Sequence, residues 1–168
     1  MNKLLIVGTV AFDAIETPFG KTDKILGGAG TFIGLSASHF NLKSAIVSVV
    51  GDDFPQEYLD LLTSRNIDIS GLEVVKGGKT FFWSGRYHND MNSRDTLATE
   101  LNVLADFNPI VPESFKDADV VMFIYRDEYY LKGKEPPMNT QVHAEWLAQV
   151  QQAHNIAEIT ISKHRKGP

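Results

Sequence analysis

An α/β fold, with a mostly parallel sheet in three layers, helices on both faces and a small antiparallel β flap, is predicted by three observations. Short continuous apolar runs rich in branched residues recur at Leu4 to Val10, Ala45 to Val50 and "DVVMFIY" at 119–125, the pattern of strands covered on both faces. Between the first two runs lie apolar residues at helical spacing. The stretch "GLEVVKGGKTFFWSGRY" at 71–87 reads as two β-prone runs joined across Lys76 to Lys79. Gly77 and Gly78 can take positive φ there, which predicts a hairpin.

Taken in order, Leu4 to Val10 is the first strand. Thr31 to Phe40 follows as a helix, because Ile33, Ala37 and Phe40 recur on one face, and Ala45 to Val50 returns as a strand. Asp53 is placed to cap a second helix with Gln56 three residues on, and Tyr58, Leu59, Leu61 and Leu62 form its buried stripe to about Asn66. A flap spans about 71–88. Residues 92–115 carry a weak helical signal and are punctuated by Pro109 and Pro112. After the 119–125 strand, the polar "RDEYYLKGKEPPMN" reads as an exposed loop. Residues 140–153 follow as a helix with Val142, Trp146 and Val150 on one face, and "AEITIS" closes as a strand. That last strand–helix–strand unit is expected to join the parallel sheet by a right-handed crossover.

Composition narrows the function classes. The 168 residues suit one domain of ordinary size, and 43% hydrophobic content can supply a core. A net charge of −5 gives no general attraction to polyphosphate, so nucleic acid is not an expected partner. The absence of cysteine excludes disulfides and thiolate zinc sites. The first apolar run meets Asp13 and Glu16 too early for a secretory signal, and no stretch approaches the roughly 20 apolar residues of a membrane span. A cytoplasmic protein without a membrane partner is expected. His39, His88, His143, His154 and His164 are scattered, which predicts no metal site.

The most distinctive stretch is "LGGAGTFIGLSASHF" at 26–40. A dinucleotide fingerprint needs G-x-G-x-x-G straight after a strand; here Gly28, Gly30 and Ile33 occupy those places, well after the strand. A P-loop needs Lys and Ser or Thr after its last glycine, whereas Gly34 precedes Leu35 and Ser36. Two readings stay open: a tight turn before a helix, or a helix N-terminus whose bare backbone receives a hydroxyl-rich or anionic ligand.

The order of "VGTVAFD", "GGAGTFIGLSASHFN", "SVVGDDF" and "RNIDISGLEVVKGGKTFFWSGRY" resembles the N-terminal half of the ribokinase-like, or PfkB, carbohydrate kinases, over about residues 1–117. The resemblance implies a ribokinase-like fold. It implies a small sugar or nucleoside as ligand, Asp13 accepting hydrogen bonds from sugar hydroxyls, and Gly27 and Gly28 presenting backbone to the same sugar. Phe32 stands where many members carry a substrate-contacting Asn, and Asp52 falls at a strand end near the site. Phe81, Trp83 and Tyr87 belong to a lid that covers substrate or clasps a second subunit, although plain hairpin packing explains each as well. Asn102 follows the flap, as a substrate contact or an ordinary surface residue.

The family uses ATP and Mg, and its second half carries a G-A-G-D anion hole. This sequence has no such motif, so no catalytic residue and no cofactor bound by this chain alone are expected. Residues 118–168 instead resemble the end of the motor domain of replicative DNA helicases of the DnaB kind, through "ADVVMFIYRDEYY" and "AEITISKHRKGP". That resemblance implies a phosphate-reading finger at Lys163 and Arg165, idle here without Walker motifs, and a basic tail is also simply solvated. The seam falls near "KDADVV". Two classes of expectation result: a sugar-binding, catalytically incomplete kinase half, or else a noncatalytic interaction module that forms a homodimer through the lid or an open sheet edge, or a chimeric fragment of a replicative DNA helicase without ATPase activity.

Overall fold

The computed structural model describes residues 3–40, 42–125, 141, 142, 145 and 158–163. β1 (Lys3–Val7) lies in the middle of the first sheet. It pairs in parallel with β5 (Lys43–Gly51) on one side, Leu5 opposite Ala45, and with β9 (Val120–Tyr125) on the other, Leu5 opposite Val121. Beyond β5 runs β6 (Ile67–Val75), also parallel, and beyond β9 runs β10 (Glu158–Lys163).

Alternation along β1 divides its side chains between two cores, as a strand covered on both faces requires. Leu4 and Ile6 join Val10, Phe12, Ile46, Val50, Phe54, Leu62 and Ile67. Against this face lie α1 (Ala29–Ala37) and α2 (Gln56–Ser64). Leu5 and Val7 join Ala45, Val47, Phe115 and Ala118, with Phe107, Val111 and Val121 packed alongside. Three layers result, and the α/β class read from the sequence is the one observed. Each fully buried Ile or Val contributes roughly 1.5–3 kcal/mol.

The seam between the two resemblances is inside this core. Phe115 and Ala118 are buried, and the Lys3 N–H donates to Asp119 Oδ2 at 2.8 Å while the Asp119 N–H donates back to the Lys3 carbonyl at 3.0 Å. Lys3 Nζ also reaches Asp117 Oδ1 at 2.6 Å.

A second sheet is built from β2 (Ala11–Thr17), β3 (Gly20–Lys21), β4 (Ile25–Gly27), β7 (Phe82–Tyr87) and β8 (Arg94–Glu100). This corrects the expected 71–88 hairpin. β6 pairs with β5 in the first sheet, and β7 crosses into the second to run parallel to β2, Phe12 opposite Phe82. The hairpin partner of β7 is β8, in the stretch read as weakly helical. β8 is an edge strand exposed over most of its length, so it lacks the alternating apolar signal that marks a half-buried strand. The Gly77–Gly78 turn is real, with Gly77 at φ 72, but it is held by the neighbouring loop.

Asp52 Oδ2 accepts from the Gly77 N–H at 2.8 Å, and Asp53 Oδ1 accepts from both the N–H and the Oγ1 of Thr80, at 2.8 and 2.6 Å. Asp53 is therefore not the cap of α2, whose N-cap is Pro55. Thr80 is 1% exposed, so Asp53→Ala leaves its two donors without their acceptor and is expected to lower stability by about 2 kcal/mol in chemical denaturation.

The last strand is a second correction. β10 runs antiparallel to β9, so the expected parallel crossover is not what completes the sheet; the chain connecting the two strands is long enough for either return, and composition does not distinguish them. Of the predicted 140–153 helix, Gln141, Val142 and Glu145 are helical, with Gln141 Nε2 donating to Glu145 Oε1 at 3.1 Å. Trp146, Val150, the 126–139 loop, His143, His154, His164 and Arg165 lie outside the described residues. Among the described residues no helix is long and apolar enough to cross a membrane.

Candidate functional site

β2 is where the candidate site begins. It pairs antiparallel with β4, Asp13 opposite Ile25 and Ala11 opposite Gly27, and parallel with β7, Asp13 opposite Trp83. Alternation sends Phe12 into the core, 4% exposed and 5.5 Å between ring centroids from Phe54. The next residue, Asp13, must then face the opposite way, on the side shared with Trp83. Lys24 lies over the Phe12 and Phe82 rings at 5.3 and 5.7 Å, on the Phe12 side of the flap.

Asp13 is half-buried, and its carboxylate lies against Gly27. A side chain at 27 would have its Cβ only 2.8 Å from Asp13 Oδ1, with the other carboxylate atoms closer still. The Gly28 N–H donates to the same carboxylate. Burial pushes the Asp13 carboxyl up from its ordinary value, and the Gly28 N–H pulls it partly back. Such a carboxylate, short of solvent on one side, can accept two hydrogen bonds from neighbouring hydroxyls of one ligand.

Gly28 is the N-cap of α1 at φ 94, a conformation that side chains rarely adopt. Its approach to the β1–β2 connection explains the need. A Cβ there would sit 2.8 Å from the Thr9 carbonyl carbon and 3.0 Å from the Ala11 nitrogen. Thr9 then serves the start of α1 from outside the helix: its Oγ1 accepts from the Ala29 N–H at 3.0 Å and its carbonyl from the Gly30 N–H at 2.9 Å. Sequence reasoning missed Thr9. Its signal was a hydroxyl residue between two apolar runs, too common to stand out. The same bonds show that the Ala29 and Gly30 amides of the opening turn are taken.

The structure thus brings Asp13, Gly27 and Gly28 together and sets Trp83 beside them. Phe32, one turn into α1, is 55% exposed. Trp83 lies across Gly85 and donates from Nε1 to Thr96 Oγ1 at 3.4 Å. The Arg94 guanidinium is 5.7 Å from the Trp83 ring and 5.9 Å from the Tyr87 ring, an aromatic–cation stack on the Asp13 face of the flap.

Phe81 belongs to the root of the flap rather than to its open surface. It is 6% exposed, and its carbonyl accepts from the Phe12 N–H at 2.9 Å. Asp52 and Asn102 keep other company: Asp52 holds Gly77, and Asn102 Nδ2 donates to the Thr80 carbonyl at 2.9 Å. Clefts of about 250 Å³, bordered by Ser48, Gly71 and Phe107, and about 580 Å³, bordered by Glu16, Arg86 and His88, include none of Asp13, Gly27 and Gly28 in their linings. Lys163 closes β10.

Comparison with known proteins finds two kinds of match. Residues 113–168 match the family described as the DnaB-like helicase C terminal domain. The replicative DNA helicase DnaB of Rickettsia typhi is 58% identical over 53 residues, which is 32% of this chain and 11% of the helicase. The cytidine kinase of Thermococcus kodakarensis is 35% identical over 121 residues, 71% of this chain and 42% of the kinase.

Among solved structures, the nucleoside kinase of Methanocaldococcus jannaschii, an archaeal member of the ribokinase family, superposes with a TM-score of 0.60 at 21% identity, covering 91% of this chain and 58% of that one. The ribokinase of Cryptococcus neoformans superposes at 0.59 and 18% identity, covering 71% and 40%. At these identities the structures establish the fold. The chain spans about a tenth of the helicase and about two-fifths of the cytidine kinase. The chain thus has the ribokinase fold, is similar to nucleoside kinases over much of its length, and from Glu113 onward matches the DnaB-like helicase C terminal domain, a match that takes in the buried Phe115 and Ala118.

Proposed function

We propose that this chain is the ligand-holding part of a nucleoside kinase-like protein, which grips a ribose or similar polyol through the Asp13 carboxylate. The observation that carries the reading is the carboxylate lying against the bare backbone of Gly27 while the Gly28 N–H orients it. A sugar offers neighbouring hydroxyl donors, and a pre-oriented, half-desolvated carboxylate is a strong acceptor for them. The cytidine and nucleoside kinase relatives favour a nucleoside over a free hexose. Trp83, opposite Asp13 in register, and Phe32, exposed on α1, are then the aromatic surfaces assigned to meet a base or sugar face, and Asp52 and Asn102 support the loop around Thr80 rather than the ligand.

ATP and Mg, which the fold family uses, do not fit the residues present. The 168 residues contain no G-A-G-D segment, and among the described residues no three His, Asp or Glu side chains converge where they could hold a metal ion. Phosphoryl transfer depends on positioned donors and cations around a highly charged transition state, so no transfer step is assigned to this chain. Lys163 and Arg165 are read as idle remnants of the helicase-like segment.

Calorimetry against cytidine, adenosine, ribose and glucose tests the proposal. Heat with a nucleoside or ribose that Asp13→Ala abolishes supports it; equal behaviour of parent and variant overturns it. Incubation with labelled ATP and Mg is expected to give no phosphorylated product, and turnover by the pure chain would refute the incompleteness. The exposed Leu97 on β8, 48% accessible, favours a second reading, a homodimer through the flap. Light scattering tests it through a concentration-dependent mass that Trp83→Ala removes.

A further inference from the structure

β9 lies between β1 and β10. Its parallel pairing with β1 runs from Leu4 opposite Val120 to Val7 opposite Phe123. Its antiparallel pairing with β10 is unbroken over six residues, from Lys163 opposite Val120 to Glu158 opposite Tyr125. A strand with one neighbour leaves alternate N–H and C=O groups unpaired along its free side, a template for any second strand.

β9 would be a poor strand to leave open. "VVMFIY" has six apolar or aromatic residues and no charge, proline or glycine, the composition of segments that pair between chains when exposed. The covering strand, "EITISK", is different: it begins with Glu158 and ends with Lys163, and the sequence continues His164, Arg165, Lys166. Charges of this kind are what discourage further pairing at the margin of a sheet.

We propose that β10 is an intrachain edge cap: the helicase-like segment occupies the side of β9 on which a second copy of this chain would otherwise pair, and so stops the kinase-like sheet from growing by strand addition. The proposal is independent of the Asp13 site. It assigns a role to a segment that carries no motor function here, and it means that a separate chain completing the kinase fold beside β9 would first have to displace β10.

Amide hydrogen exchange on the intact chain, read residue by residue by NMR, is the first test. With β10 in place, the amides of 121–124 are all protected; rapid exchange of alternate amides in that stretch would overturn the proposal. The second test is the double variant Thr160→Pro/Ile161→Pro. Adjacent residues direct their N–H groups to opposite sides of a strand, so one of the two prolines must remove a donor facing β9.

The expected result is loss of protection at alternate β9 amides, retained protection in β1 and β5, and a mass by light scattering that rises with concentration to at least twice that of the parent. Trp83→Ala in the same background separates this association from pairing through the flap, because it leaves edge pairing intact. Deprotected β9 amides with the parental mass would overturn the cap. Loss of protection throughout β1 and β5 would also overturn it, since β10 would then hold the fold rather than its edge.

Discussion

Asp13→Ala is expected to weaken nucleoside or ribose binding by roughly tenfold to a hundredfold, the loss that accompanies removal of a charged hydrogen-bond acceptor worth about 1.5–3 kcal/mol. The fold should tolerate the change, because Asp13 faces away from the core that holds Phe12. Asp13→Asn separates charge from shape. An amide oxygen still accepts from the Gly28 N–H, but the burial that pushes the Asp13 carboxyl up no longer opposes a negative charge.

A carboxyl whose folded-state pKa is raised contributes most to stability below its unfolded value, and loses that contribution as pH rises through the folded value. Asp13→Asn is therefore expected to melt at a higher temperature than the parent near neutral pH, with the difference closing on acidification, while binding remains impaired. A variant less stable than the parent at neutral pH would contradict the burial of this carboxyl. Thermal scans at several pH values alongside calorimetry give both readouts.

Gly28→Ala is expected to be the most damaging single substitution at the site, costing about 3 kcal/mol or more in denaturant unfolding and removing ligand binding. Two effects add. A side chain at φ 94 carries backbone strain on the order of 1–3 kcal/mol. Its Cβ would also press on the Thr9 carbonyl and the Ala11 nitrogen, backbone atoms that cannot swing away as a side-chain tip can. Relief requires α1 to move off the β1–β2 connection, which breaks the Ala29 and Gly30 bonds to Thr9 and withdraws the Gly28 N–H from Asp13. Thr9→Val provides a milder comparison. It deletes only the Oγ1 acceptor at the start of α1 and is expected to cost about 1 kcal/mol, with binding reduced but present.

Legibility differed along the chain for physical reasons. The strands around β1 were readable because full burial on both faces demands nearly continuous apolar runs, as in "LLIV" and "AIVSVV". The joining of Asp13 to Gly27 and Gly28 was readable only through the order of motifs, since fourteen to fifteen residues separate them and no periodicity links them. β8 was misread because exposure on both sides removes the pattern that distinguishes strand from loop. Asp53 looked like a cap because it precedes a helix at the usual spacing, yet Thr80, which is remote in sequence, competes for the same carboxylate.

By itself the amino-acid sequence determined the α/β class, the two resemblances and the glycines that must stay bare, because burial, backbone freedom and motif order are local or directional properties of a chain. Only the tertiary structure decided which strands share a sheet, that β6 and β7 part company at the Gly77–Gly78 turn, and that β10 returns antiparallel beside β9. Strand pairing is a choice among partners that all offer the same backbone groups, and it is settled by packing between distant segments rather than by anything written in either one.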